Sequence, residues 1–156
     1  MSYILSNRSK QRLEGVHPFL KEVINMAISE SPDDFGIPTY GGLRTAKVQK
    51  ELYDKGRSIE SLERGEKPIT YTDGIRKKSN HQISKYGYGE AFDIYIYDHN
   101  TNKASWNVER LTNIAIHILK CADKVKENSE YKDLVLTWGG NWTRFKDYPH
   151  FQINRI

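Results

Sequence analysis

The sequence has a single cysteine, Cys121, and no long apolar run. One cysteine excludes an internal disulfide and any zinc site built from several cysteines. No stretch approaches the roughly 18 apolar residues that cross a bilayer, and the polar opening MSYILSNRSKQR lacks the apolar core of a secretory signal peptide. We therefore expect synthesis in a cytoplasm and no stable insertion into a membrane.

Internal repeats and low-complexity tracts are also absent, which excludes solenoids and long flexible tails. The 156 residues have room for one domain with one core. Hydrophobic residues make up 37% of the chain and charged residues 28%, a balance typical of soluble globular domains. We therefore predict that residues 1–156 form a single domain.

The formal net charge of +4 arises from 24 basic and 20 acidic residues. This excess favours an anionic partner, such as a nucleic acid, a lipid surface or a cell-wall polymer. A nucleic-acid-binding domain is disfavoured, because the basic residues are spread along the chain among nearly as many acids and form no recognisable binding motif. Charge alone does not choose between the remaining partners.

Three segments have the apolar periodicity of amphipathic helices. They run from Pro18 to about Ser29, from a Thr45 cap to about Lys55, and from about Val108 to Lys126. Proline suits the first position of a helix because no helical hydrogen bond is lost there, and His17 is accordingly interpreted as a helix-start residue. The predicted buried stripe of the third helix consists of Leu111, Ala115, Ile118, Leu119 and Ala122.

Alternating apolar and polar residues predict strands in the second half of the chain. The segment EAFDIYIY, Glu90–Tyr97, alternates so that Asp93 faces away from the core. Two shorter strands are predicted at Leu134–Trp138 and His150–Ile153, and His150 also faces away from the core. Helices followed by strands predict an α+β domain, in which a small, mostly antiparallel sheet carries helices on one face.

Polar segments connect these elements. The turn formers of residues 31–42 predict a loop, and residues 58–78 are predicted to be extended, with at most a short strand at 69–71. We interpret the basic run 76–78 as a solvated turn rather than a contact with an anionic polymer. Three aromatic residues near the C-terminus are as compatible with simple packing as with lining a groove: Trp138, Trp142 and Phe145.

Three candidate metal ligands lie far apart in the sequence: His81, Asp93 and His150. A catalytic zinc site takes three ligands from histidine and carboxylate side chains and keeps one position open for water. Each residue alone is more often solvated or structural, but the set together predicts a metal site. His99 and His117 would be ligands only if this set fails.

Asp147 stands three residues before His150 and is a candidate general base towards a metal-bound water. A surface aspartate in a turn is the alternative interpretation. Pro149 favours the catalytic one slightly, because its ring stiffens the link between Asp147 and His150.

Three ordered motifs resemble those of a known peptidase family. They are GLRTAKVQKELYDKGR (42–57), KKSNHQ followed by GYGEAFDIY (77–95), and WGGNW with KDYPHF (138–151). The family comprises the zinc D,D- and L,D-type peptidoglycan peptidases related to D-alanyl-D-alanine carboxypeptidases. Within it, the sequence is most similar to the bacteriophage L-alanyl-D-glutamate endopeptidases.

The resemblance implies a role for each matching residue. Three residues are implied zinc ligands: His81, Asp93 and His150. Asp147 matches the catalytic base, and Arg44 matches an arginine that contacts substrate, with Gln49 and Ser79 as helpers. One spacing departs from the family, because Asp93 stands twelve residues after His81 rather than seven. We expect the extra residues, 83–87, to bulge as a loop between two retained ends.

The resemblance also implies a fold and a function. The expected fold is the α+β fold shared by hedgehog domains and D,D-peptidases. The expected activity is Zn2+-dependent hydrolysis of the L-alanyl-D-glutamate bond in peptidoglycan, with no separate wall-binding domain. The expected setting is phage lysis, in which a monomer made in the host cytoplasm reaches the wall after the membrane is permeabilised. A D-alanyl-D-alanine carboxypeptidase or dipeptidase, and a non-catalytic wall-binding relative, remain alternatives.

Overall fold

The computed structural model describes residues 2–156. These residues contain two three-stranded antiparallel sheets and five α-helices, joined by loops. The helices are Asn7–Arg12 (α1), Pro18–Ser29 (α2), Ala46–Asp54 (α3), Ile59–Glu63 (α4) and Val108–Val125 (α5). The strands are Phe35–Gly36 (β1), Ala91–Asp93 (β2), Tyr95–Asp98 (β3), Lys103–Ser105 (β4), Leu134–Trp138 (β5) and His150–Arg155 (β6). The α+β prediction is confirmed, with two small sheets in place of one.

The long helices α2 and α5 pack against each other and supply much of the core. The ring Nδ1 of His17 accepts a hydrogen bond from the Phe19 backbone N–H and so caps α2, as the helix-start interpretation expects. Asn107 caps α5 in the same way through the backbone N–H of Arg110. Among residues 2–156, no helix combines the length and the apolar character needed to span a membrane.

The buried face of α5 agrees with the predicted stripe except at one position. Leu119 is only partly buried, whereas Ile114, which was not in the predicted stripe, is completely buried. The other four predicted residues are buried: Leu111, Ala115, Ile118 and Ala122.

The single strand predicted over residues 90–97 is in fact two strands that belong to different sheets. β2 pairs with β6, whereas β3 pairs with β1 and β4. The chain changes sheets at Ile94, whose N–H donates to the Pro149 carbonyl instead of to a partner within either sheet. The apolar face predicted for the segment is nevertheless continuous, because three side chains are completely buried: Phe92, Ile94 and Ile96.

Four short elements differ from the sequence prediction. The helix α4 lies where an extended segment was expected, and within the described residues 58–78 no strand forms at 69–71. The elements α1, β1 and β4 were not predicted at all. None of the four exceeds six residues, so none completes enough turns or alternations to produce a periodic signal.

The sheet of order β2–β6–β5 positions two of the candidate ligands. Its central strand β6 is antiparallel to both neighbours, and the register places His150 opposite Asp93. Directly opposed residues of an antiparallel pair have Cβ atoms roughly 4.5–5.5 Å apart. The strand pairing alone therefore brings together two side chains that are 57 positions apart in the chain.

We expect Ile118→Ala to lower the free energy of unfolding by about 2–5 kcal/mol, because it leaves a cavity in a closely packed core. Ile116→Ala is the matched control, since it makes the same change in the same helix at a side chain that is 48% exposed. The control should cost less than about 1 kcal/mol. Urea unfolding followed by far-UV circular dichroism measures both, and equal costs would contradict this account of the core.

Candidate metal centre and groove

The three predicted ligands meet at one point: His81, Asp93 and His150. One potential ligand atom from each lies within 4.8 Å of the other two. The His81 Nε2 is 3.4 Å from Asp93 Oδ1, and the His150 Nδ1 is 3.0 Å from the same oxygen. Both imidazoles are buried and Asp93 is half-buried. The structure therefore brings together all three residues of the predicted set.

The far nitrogen of each imidazole contacts an oxygen acceptor. The His81 Nδ1 lies 2.9 Å from the Gly42 carbonyl, and the His150 Nε2 lies 2.9 Å from Gln152 Oε1. An acceptor on the far side stabilises a ring proton there, so that the nitrogen facing Asp93 can offer its lone pair when a cation takes the place of the proton between the ring and the carboxylate. Two imidazole lone pairs and one carboxylate oxygen form the donor set of a catalytic divalent-metal site, so the residues fit such an ion.

The segment 41–44 ties His81 and Asp93 to each other through the backbone. The Asp93 N–H donates to the Gly41 carbonyl, and the Arg44 N–H donates to the His81 carbonyl, both at 2.8 Å. Gly42 has to be glycine here, because a Cβ would lie 1.8 Å from the Arg12 carbonyl oxygen. This tight crossing holds the carbonyl of Gly42 against the His81 ring.

The charges of the cluster favour an ionised aspartate. Burial opposes the charge of Asp93, but the neighbouring His81 and His150 outweigh burial and hold the pKa of this carboxyl far below its ordinary value. Burial would lower the pKa of His150, whereas its hydrogen bond to Asp93 and the charge of that residue raise it. Asp93 is therefore a carboxylate at neutral pH, as a metal ligand must be.

Arg44 holds the other oxygen of Asp93. Its Nη2 donates to Asp93 Oδ2 at 3.0 Å, its Nε donates to the Tyr40 carbonyl at 2.7 Å, and its Nη1 donates to Gln49 Oε1 at 3.1 Å. Three directions of the guanidinium are thus fixed by the protein. Arg44 lines the groove above the cluster, so the remaining hydrogens of its terminal nitrogens are available to a ligand there.

The two implied helper residues have different surroundings. Gln49 is completely buried and lies outside the groove lining; its amide nitrogen donates to the Thr72 carbonyl at 2.8 Å while its oxygen holds Arg44. In this structure Gln49 positions Arg44 and does not reach a ligand directly. Ser79 lines the groove, and its hydroxyl accepts the His81 backbone N–H at 3.2 Å.

Asp147 lies on the same groove, in the loop that precedes β6. Its N–H donates to the Gly139 carbonyl at 3.1 Å, and its own carbonyl accepts the His150 N–H at 3.2 Å. Gly139 allows this approach, because a Cβ there would lie 2.3 Å from the Asp147 carbonyl oxygen. The side chain is solvent-accessible, but the groove walls displace much of its hydration, and this burial together with the charge of Asp93 raises the pKa of Asp147.

The groove has a volume of about 870 Å³ and walls that are both aromatic and basic. Trp142 and Phe145 line it, whereas Trp138 is buried in the core and donates its indole N–H to the Tyr148 carbonyl. The solvated-turn interpretation of residues 76–78 was incomplete, because the exposed side chains of Lys77 and Lys78 also belong to the groove wall.

The extra residues after His81 form a small hairpin. A bridge joins Ile83 to Gly89, and the Ser84 N–H donates to the Tyr88 carbonyl at 2.9 Å. Gly87 turns the chain with a φ of 89°, a conformation that favours glycine. No residue of the segment 83–89 lines the groove, so in this structure the longer spacing leaves the cluster intact.

The other histidines do not join the cluster. His99 contacts an acid outside the groove, since its Nε2 lies 2.9 Å from Asp34 Oδ2. His117 contacts the Ala27 carbonyl through its Nε2 at 2.9 Å.

Sequence reasoning missed two partners of the cluster. Gln152 shares the polar face of β6 with His150, so the alternation along that strand could have indicated it. The Gly42 carbonyl has no comparable signal, because a backbone acceptor is not marked by any residue type.

A His–Asp–His cluster in an open groove, with a further acid on the same groove, is typical of metal-dependent hydrolases. Residues 77–153, which contain the three clustered residues and Asp147, match the family model described as D-alanyl-D-alanine carboxypeptidase. The cluster itself lies within that matched segment.

Two characterised relatives extend the similarity beyond this segment. The chain is 29% identical over 153 residues to the peptidoglycan L-alanyl-D-glutamate endopeptidase CwlK of Bacillus subtilis, covering 88% of this chain and 73% of that protein. The crystal structure of the L-Ala D-Glu endopeptidase ChiX of Serratia marcescens superposes with a TM-score of 0.66 at 26% identity, covering 97% of this chain and 90% of that one. The chain is therefore similar over residues 77–153 to the D-alanyl-D-alanine carboxypeptidase family of peptidases, and over most of its length to two hydrolases that are named as L-alanyl-D-glutamate endopeptidases.

We expect the purified protein, dialysed against zinc and then against buffer, to retain about one metal ion per chain, as one three-ligand site requires. His81→Ala should abolish this retention because it removes one of three donors. His99→Ala is the control, since it removes an exposed histidine away from the cluster. Inductively coupled plasma mass spectrometry measures the metal content, and full retention by His81→Ala would exclude this ligand set.

Proposed function

We propose that this protein is a zinc-dependent endopeptidase that hydrolyses the L-alanyl-D-glutamate bond of peptidoglycan stem peptides. The observation that carries the proposal is the position of Asp147 on the same groove as His81, Asp93 and His150. The activities named for CwlK and ChiX support the choice of bond. The match of residues 77–153 to the peptidase family model supports the type of reaction.

Zinc is the metal that the donor set favours, because two imidazoles and one carboxylate with an open position are typical of catalytic zinc in peptidases. His81 would bind through Nε2 and His150 through Nδ1, the nitrogens that face Asp93. When bound, Zn2+ acts as a Lewis acid towards the scissile carbonyl and lowers the pKa of water to about 7.

Asp147 supplies the general base of the proposed reaction. Its carboxylate takes a proton from the attacking water and later gives it to the nitrogen of the departing amine. A carboxyl group whose pKa is raised is better matched to this exchange than an ordinary aspartate. Because water attacks directly, the reaction needs no nucleophilic side chain, and Cys121 is buried away from the groove.

Arg44 is proposed to bind the substrate. A planar guanidinium suits a carboxylate or a developing oxyanion, because it donates two parallel hydrogen bonds. Stem peptides carry free carboxylates beside the cleaved bond, and the lysines of the groove wall add positive charge for the same groups. Three of the five N–H donors of Arg44 are already satisfied by the protein, so the guanidinium is held in place before the substrate arrives.

We further propose that the enzyme degrades the host wall at phage lysis, after synthesis in the host cytoplasm and permeabilisation of the membrane. Support comes from the three motifs, which resemble those of bacteriophage endopeptidases. We expect the wild-type protein to produce a zone of clearing on purified host walls and Asp147→Asn to produce none.

The alternative function is removal of the terminal D-alanine, which the description of the family model favours. Mass spectrometry of digested peptidoglycan distinguishes the two reactions. We expect products with a new amino terminus at D-glutamate and stem peptides released from the glycan. Free D-alanine as the sole product would reject the endopeptidase.

We expect Asp147→Asn to lower kcat by roughly 10²–10⁴, because an amide cannot take the proton from water. The metal content should stay at about one ion per chain, since Asp147 is outside the ligand set. Asp123→Asn, which makes the same change at an exposed position of α5, should leave kcat unchanged. A near-normal kcat for Asp147→Asn would show that another group is the base.

A further inference from the structure

A glutamine on β6 contacts the far side of the His150 ring. Gln152 follows His150 by two residues, so the two side chains share one face of the strand. The Gln152 Oε1 lies 2.9 Å from His150 Nε2. We propose that Gln152 is a positioning residue that fixes the orientation and the ring proton of His150 for metal binding. This proposal rests on the metal site of the proposed function.

The orientation of the Gln152 amide follows from its second contact. Its Nε2 donates to Asn154 Oδ1 at 3.2 Å, so its oxygen faces the imidazole. Only the oxygen of the amide can accept the His150 N–H, because the nitrogen carries donors alone. Three residues of one strand face, His150, Gln152 and Asn154, therefore form a directed chain of hydrogen bonds.

The strand holds Gln152 firmly in position. β6 is the central strand of its sheet, and Gln152 is paired with Ala91 on one side and with Thr137 on the other. The side chain is half-buried, and so it is partly shielded from competing water. The backbone pairing on both sides restricts how far the amide can move away from the ring.

The His150 ring is enclosed from several directions. The ring centroids of Trp142 and His81 lie 5.4 Å and 5.1 Å from it, and Asp93 contacts its Nδ1 at 3.0 Å. Gln152 is the polar partner that the structure gives to the Nε2 edge. Its removal would leave that edge without the acceptor that the structure provides.

The carboxylate of Asp93 makes this acceptor necessary. A neutral imidazole carries one proton, and a carboxylate 3.0 Å from Nδ1 attracts that proton to Nδ1. The nitrogen that would bind the metal would then have no lone pair to offer. An acceptor at Nε2 opposes this attraction, because it stabilises the form in which the proton is on the far nitrogen.

Zinc affinity tests the proposal without any measurement of turnover. Gln152→Met keeps the length of the side chain but removes the acceptor, and we expect it to raise the Kd for Zn2+ by roughly 10–100-fold in competition with a chromophoric chelator. Gln152→Ser, whose hydroxyl is too short to reach the ring, should behave alike. Gln152→Glu keeps an oxygen acceptor and should bind zinc at least as tightly as wild type. Gln11→Met is the control, since it makes the same change at an exposed position of α1, outside the cluster.

Nuclear magnetic resonance of the zinc-loaded protein gives an independent signature. The Nε2 proton of His150 should be slowly exchanging in wild type and in Gln152→Glu, and broadened by exchange with water in Gln152→Met. Equal zinc affinity and an unchanged Nε2 proton in Gln152→Met and Gln152→Ser would overturn the positioning role. A wild-type protein that binds no zinc would instead reject the proposed function itself.

Discussion

The antiparallel pairing of β2 with β6 is the constraint on which the site depends. It sets Asp93 opposite His150, and the same pairing places Phe92 opposite Phe151 in the core, where the two rings stack 4.9 Å apart. The neighbouring positions of each strand therefore face in opposite directions, one towards the groove and one towards the apolar interior. A slip of the register by one residue would move the candidate ligands into the core and the phenylalanines into the groove.

Asp93 links the two functions proposed for the groove. One of its oxygens faces both imidazoles, and the other accepts a hydrogen bond from Arg44. Arg44 is in turn held by the buried Gln49, which is bound to the segment that forms one wall of the groove. The metal centre and the residue proposed to bind substrate are therefore parts of one hydrogen-bonded network, and a change in either alters the electrostatic environment of the other.

The sequence could predict which faces carry the polar residues, and it could not predict their partners. Alternation placed Asp93 and His150 off the core because period-2 patterns report the direction of a side chain. The same pattern could not reveal that the chain changes sheets at Ile94, since both sheets bury the same face. The resemblance indicated Gln49 as a helper, but its complete burial follows from long-range packing that no local pattern encodes.

The turn from Asp147 to His150 has a mechanical consequence. The Asp147 N–H donates to the Gly139 carbonyl, and the Asp147 carbonyl accepts the His150 N–H. Gly139 is the first residue after β5. These two backbone hydrogen bonds couple the position of the acid to that of the imidazole. A substitution that shifts the end of β5 would therefore move the proposed base together with the candidate ligand that follows it.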